Sequence, residues 1–381
     1  MNIMIIFKKV LMRRVLIFHI SQFGGHCKAA SNIKEALLLR DNTLEVLNIN
    51  GFGYFYPFWE KFVDFIYTFI INYFPFLWGK IYDRKKIVKE LNCLRKVVNR
   101  MAFKKLDILL KSFVPQCIVT TQAFPCGIVA DYKQKFNFKI PLVAVVTDYY
   151  PHRFWIHPNV DKYIVACKQA REILIKEEIE KKKIEIYGIP VSVKFLNDYS
   201  KEAVAREFEF RKNLKAILIM GGGLGIGPMK RIALQLDDLE EDFQMIVVCG
   251  KNRRLYKWFC KNKDNFKKPV FYFSYVDFVH KLMEFCEIII TKAGGITICE
   301  ALSKNLAIVV IRPIPGQEER NANYLSKKKA IIKADNLEEI KKIIKRLLKN
   351  KDDLNFLKEQ TEKLASKDAS LKIADLILKL N

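Results

Sequence analysis

One unit occurs twice in this chain, and it restricts the fold more than any other feature. Val15–Ile20 is a short unbroken apolar run that reaches Gly24-Gly25 and then a helical pattern from His26 to Leu39. Some 200 residues later Ala216–Met220 runs into Gly221-Gly222-Gly223-Leu224-Gly225-Ile226-Gly227-Pro228 and a second helix. An apolar run ending at glycine and opening a helix reads as a buried parallel strand feeding a βα unit. Further strands are expected at Cys117–Thr120, Leu142–Thr147 and Tyr163–Ala166. After the break at Gly188-Ile189-Pro190-Val191 more follow at Met245–Cys249, Val270–Phe273, Ile288–Thr291 and Ala307–Ile311. The reading is an α/β protein of two Rossmann-like, doubly wound domains, 12–194 and 195–381, with the last helix available to pack back on the first. At 381 residues and 50% apolar, the chain can supply two cores. Residues 1–11 read as an extension ahead of a natural start at Met12. In open sheets of this kind ligands bind beyond the carboxyl ends of the strands, so each glycine loop marks a place to look for a site.

The formal charge of +25 favours polyanionic partners: nucleic acid, anionic lipid headgroups or a diphosphate. A lysine-rich genome would give the same excess. Nine scattered cysteines without a Cys-x-x-Cys pair predict neither a disulfide framework nor a zinc site, which fits a reducing cytoplasm. No run approaches the roughly 18–20 uncharged apolar residues of a membrane span. Residues 52–78 are dense in aromatics, and Phe62, Phe65, Phe69 and Tyr73 recur at helical spacing ahead of Pro75, with Trp78 beyond it. From Lys80 to Lys111 a second helical pattern is rich in Lys and Arg. An aromatic and basic pair suits the membrane interface, so Phe62, Phe65, Phe69, Tyr73 and Trp78 are the expected membrane contacts, on anionic lipid at the inner face of the cell membrane. A plain core helix is the alternative. No nucleic-acid motif accompanies the basic run, so no nucleic-acid partner is expected.

Three loops carry the chemistry. In Gly221–Pro228 the amides around Gly222, Gly223 and Gly225 suit a phosphate or diphosphate at a helix N-terminus; no Gly-Lys-Ser/Thr follows, so an ATP-hydrolysing loop is not indicated. Thr291–Glu300 crosses Gly294 and Gly295 and sets Glu300 one turn into a helix, where a carboxylate can accept both hydroxyls of a ribose. After the next strand, Gln317 and Glu318 in Pro315-Gly316-Gln317-Glu318 can bond the hydroxyls of a hexose. In the first half His26, directly after Gly25, starts a helix whose dipole keeps an imidazole neutral, as a general base requires. Asp148, His152, Trp155 and His157 follow a strand and read as acceptor-side groups. Their spacing is not that of metal ligands, and no metal is expected. His280, on an expected helix, reads as a solvated surface residue.

With these residues in place, the chain resembles the monogalactosyldiacylglycerol synthase and processive diacylglycerol glucosyltransferase family, GT-B glycosyltransferases related to the peptidoglycan lipid-intermediate N-acetylglucosamine transferase. The strings that carry the likeness are Gly24-Gly25-His26, Thr147-Asp148 to Pro158, Gly188-Ile189-Pro190, Gly221–Pro228, Thr-Lys-Ala-Gly-Gly at 291–295 and Pro-Gly-Gln-Glu at 315–318. The resemblance implies inverting transfer of glucose or galactose from UDP-glucose or UDP-galactose to diacylglycerol, with no cofactor beyond the donor. In it Glu300 binds ribose, Phe278 and Val279 border uracil, the Gly221–Gly227 loop holds diphosphate, Gln317 and Glu318 hold the hexose, and His26 is the base. Gln22 and Phe23 depart from the smaller residues that relatives often carry before the glycines. Three alternatives stand beside it: N-acetylglucosamine transfer to a polyprenyl-linked precursor, a UDP-sugar 2-epimerase, and a membrane-bound scaffold with a degenerate pocket.

Overall fold

The computed structural model describes residues 13–21, 24–58, 85–313 and 315–380. The expected membrane contacts Phe62, Phe65, Phe69, Tyr73 and Trp78 lie outside them.

Strands β1 (Arg14–His19), β2 (Glu45–Asn50), β3 (Cys117–Thr120), β4 (Leu142–Val145), β5 (Lys162–Val165) and β6 (Ile184–Ile186) form one parallel sheet in the order β2-β1-β3-β4-β5-β6. Strands β7 (Lys215–Met220), β8 (Phe243–Val248), β9 (Val270–Phe273), β10 (Ile288–Thr291), β11 (Ala307–Ile311) and β12 (Ile331–Ala334) form a second, ordered β12-β11-β10-β7-β8-β9. Helices cover both faces of such sheets, which is why β8 is buried along its whole length. Its one polar residue, Gln244, is satisfied by the backbone of Arg211 and Leu214. β2, β6 and β12, which the sequence did not announce, are all edge strands. An edge strand needs no continuous apolar run, and Glu-Val-Leu-Asn-Ile-Asn has none.

Strand order reverses between β1 and β3 in one sheet and between β7 and β10 in the other, and ligand crevices open at such switch points. The two units meet there. The chain also returns to its start: Ile373, Ala374 and Ile377 of the final helix Ala369–Leu380 share a core with Ile33, Ala36 and Leu37 of the helix Gly25–Arg40. Among the described residues no helix is long and apolar enough to cross a membrane.

Candidate active site

The helices Gly25–Arg40 and Gly295–Ser303 each begin at a glycine cap that offers no side-chain hydrogen bond, and their first turns meet across the crevice. A Cβ on Gly25 would lie 3.4 Å from Ile296 Cγ1, and one on Gly295 only 2.2 Å from the carbonyl oxygen of Thr147. Any side chain at 295 would therefore push the units apart. Beside this contact is a cavity of about 350 Å³ walled by Gly25, Gly222, Gly223, Val279, Gly294, Gly295 and Glu300, all expected site residues.

The loop after β7 folds back on itself through Gly225 N–H to Gly222 O (3.0 Å) and Ile226 N–H to Gly221 O (3.1 Å). Gly225 has φ +63°, and a Cβ there would stand 1.9 Å from Cys249 O, so it fixes the loop rather than lining the cavity. Among the described residues no protein acceptor takes the amides of Gly222, Gly223 or Leu224, which wall the cavity. Unpaired amides at the end of a strand suit a diphosphate.

Glu300 is 6% exposed and makes no hydrogen bond with the described residues; burial pushes its carboxyl up to about 7, with the charge of Lys28 pulling the other way. A buried, unpartnered carboxylate beside free amides is matched to paired hydroxyls with a diphosphate next to them. Around it the structure corrects the sequence reading. Phe278 does not reach the cavity, because its ring stacks on Phe208 (4.9 Å between centroids) and meets Phe273 edge-on (5.7 Å). Tyr275 and Val276 wall the cavity instead, alongside Val279. His280 is no surface residue: it is 6% exposed, packs against Tyr199 (5.1 Å), and lines the same cavity. Burial, then the charges of Lys194, Lys281 and Lys304, lower its pKa to about 4.

His26 sits between the two wall residues Gly25 and Cys27. Its Nδ1 lies 2.8 Å from the carbonyl oxygen of Thr121 and 2.9 Å from Thr147 Oγ1, and Thr121 Oγ1 donates to the His26 carbonyl at 2.8 Å. A carbonyl only accepts, so Nδ1 carries the hydrogen and the lone pair is on Nε2. Burial lowers the pKa to about 4, the Thr121 bond opposing, so the ring is a neutral base at physiological pH. Burial, with a smaller contribution from repulsion by a protonated His26, lowers the pKa of His152 to about 3.

Asp148 is buried and accepts from Gln317 Nε2 and from Asn321 Nδ2 (3.0 Å), while the Tyr149 amide donates to Asn321 Oδ1 (2.9 Å). Tyr149 stacks on Tyr324 (5.2 Å). Asp148 thus fastens the first sheet to the helix Gln317–Lys327, and Gln317, expected to hold a hexose, spends its amide on that fastening. Burial pushes the Asp148 carboxyl up to about 6, the Asn321 and Gln317 bonds opposing. Glu318 accepts from Lys292 Nζ at 2.7 Å. Trp155 and His157, expected on the acceptor side, are core residues instead: the Tyr163 hydroxyl accepts from the His157 amide and shares its one hydrogen between the carbonyls of Trp155 (3.0 Å) and His157 (2.9 Å), and His157 Nε2 bonds Phe154 O at 3.0 Å. Among the described residues no three His, Cys, Asp or Glu side chains are grouped to hold a metal ion.

Residues 26–191 match the family model described as monogalactosyldiacylglycerol (MGDG) synthase, and residues 216–377 match the glycosyltransferase family 28 C-terminal domain. The processive diacylglycerol beta-glucosyltransferase of Bacillus subtilis (strain 168) is 30% identical over 380 residues, covering 96% of this chain and 95% of that protein. The chain belongs to the diacylglycerol glycosyltransferase family. It is an enzyme with the GT-B fold, two Rossmann-like domains across a cleft. The fold is shared with MurG of Acinetobacter baumannii (14% identity, TM-score 0.62, 97% of this chain and 99% of that one) and with UDP-GlcNAc 2-epimerase of Neisseria meningitidis (16%, TM-score 0.60, 97% and 100%). At those identities the likeness is of fold alone, so neither peptidoglycan chemistry nor epimerisation follows from it.

Proposed function

We propose that this diacylglycerol glycosyltransferase uses UDP-glucose and attaches the glucose to diacylglycerol with inversion at the anomeric carbon. The observation that carries the donor reading is Glu300, a buried carboxylate with no hydrogen-bond partner among the described residues, facing the same cavity as the amides of Gly222, Gly223 and Leu224. The ribose hydroxyls donate to Glu300, uracil lies against Tyr275 and Val276, and the amides hold the diphosphate without need of a metal ion. The acceptor hydroxyl oxygen attacks the anomeric carbon as the bond to the diphosphate oxygen breaks. Its proton passes to His26 Nε2, and the electron pair of the broken bond leaves with UDP. Glucose rather than galactose is favoured because the relatives matched over nearly their whole length are named glucosyltransferases.

The enzyme works at the inner face of the cell membrane on anionic lipid. The net charge of +25 supports this, as does Phe58, a residue of the aromatic segment that is 94% exposed. Purified protein given UDP-glucose, UDP-galactose or UDP-N-acetylglucosamine, with vesicles carrying either diacylglycerol or a polyprenyl-linked saccharide, tests the proposal. Glucosyldiacylglycerol with one UDP per sugar is the expected product. Sugar transfer only to the polyprenyl lipid, or an altered sugar without an acceptor, would overturn it.

A further inference from the structure

Lysine side chains also wall the cavity, and one of them stands over the glycine loop. Lys292 is the first residue beyond β10, and its Nζ is held by Glu318 Oε1 at 2.7 Å, with the two side chains 27% and 13% exposed. Its Cε lies 3.4 Å from where a Cβ on Gly222 would stand and 3.8 Å from one on Gly294. The side chain therefore fills the space that these two glycines leave open, and it walls the same cavity as Glu300 and the free amides. Two further lysines wall the cavity, Lys28, whose charge acts on Glu300, and Lys194, which lowers the pKa of His280, while Lys251 lies over the Tyr275 ring at 5.7 Å. Lys292 is the ammonium set against the Gly222 turn.

We propose that Lys292 is a catalytic residue, the cation that takes up the charge of the departing diphosphate, with Glu318 holding its ammonium over the glycine loop. The assignment rests on the reading of this cavity as a UDP-hexose site. In the ground state the ammonium bridges Glu318 and a diphosphate oxygen. When the bond between the anomeric carbon and the diphosphate oxygen breaks, the electron pair stays on that oxygen, and Lys292 hydrogen-bonds the new charge while keeping its own proton. Glu318 then has two duties: one oxygen fixes Lys292, and the carboxylate also faces the side where the hexose lies. A cation that strengthens its grip as charge develops acts on kcat more than on substrate affinity.

The test compares Lys292→Met and Lys292→Arg with the parent, by calorimetric titration with UDP and with uridine and by steady-state turnover. Lys292→Met should bind uridine as the parent does, bind UDP about 10- to 100-fold more weakly, and lose about 100-fold in kcat. Lys292→Arg should recover part of both, and added ethylamine should restore turnover to Lys292→Ala. Unchanged UDP affinity in Lys292→Met, or an equal loss of uridine and UDP, would overturn the assignment, the latter because it reports a collapsed pocket. A parent that binds neither uridine nor UDP would instead refute the donor reading itself.

Discussion

Replacing Glu300 by Gln should make the donor-free protein more stable and a worse enzyme, with the gain growing as pH rises. The carboxyl stands at about 7 in the folded state against a model value of 4.5. Below 4.5 it is protonated in both folded and unfolded chains and contributes nothing. Between the two values the unfolded chain ionises first, and above about 7 the folded protein carries the whole cost of a buried, unpartnered charge, about 3 kcal/mol. The stability associated with the raised value is therefore present at low pH and lost as pH climbs through 7. Glu300→Gln escapes that loss, so its advantage should be near zero around pH 4.5 and approach 3 kcal/mol at about pH 8. The same exchange removes a charged acceptor for two ribose hydroxyls, which costs about 3 kcal/mol of donor affinity, or about 100-fold. Urea denaturation at low and high pH, with and without UDP, reads both effects. UDP should raise the midpoint of the parent and leave that of the variant almost unmoved. A stability gap that ignores pH, or a variant that binds UDP like the parent, would refute the placement of ribose on Glu300.

The pH profile extends this reasoning: kcat/KM for the donor should fall below about pH 7 as Glu300 protonates, with a second limb near 4 from His26, and Glu300→Gln should abolish only the upper limb. His26→Ala should lower kcat by about 10²- to 10⁴-fold while calorimetry finds UDP affinity unchanged. Gly295→Ala should cost about 1–3 kcal/mol in thermal or urea unfolding and most of the turnover, because its Cβ would meet Thr147 O at 2.2 Å. Gly225→Ala should weaken UDP binding by deforming the loop, since its Cβ would stand 1.9 Å from Cys249 O.

What the sequence made legible was whatever depends on neighbours in the chain. A strand buried on both faces must be apolar throughout, and a glycine after it must open a helix, so β1, β7 and β10 and the loops that end them could be read directly. Contacts made across the fold left no local trace. Gln317 lies 169 residues from Asp148, and nothing near either predicts that they bond. The resemblance implies Phe278 beside uracil, yet the Phe208–Phe273 cluster claims its ring and leaves the wall to Tyr275 and Val276. Likewise Tyr163 turns Trp155 and His157 into core residues through one hydroxyl that serves three backbone groups. His280 sits on a seven-residue helix, too short to show which face is buried.

One cavity, at the switch points of both sheets, receives the uridine diphosphate sugar in this reading of the enzyme. A crystal structure of the complex with UDP tests it most directly. Ribose should lie on Glu300, uracil against Tyr275 and Val276, and the diphosphate oxygens on the amides of Gly222 to Leu224. UDP bound with Glu300 left unoccupied, or seated outside this cavity, would contradict it.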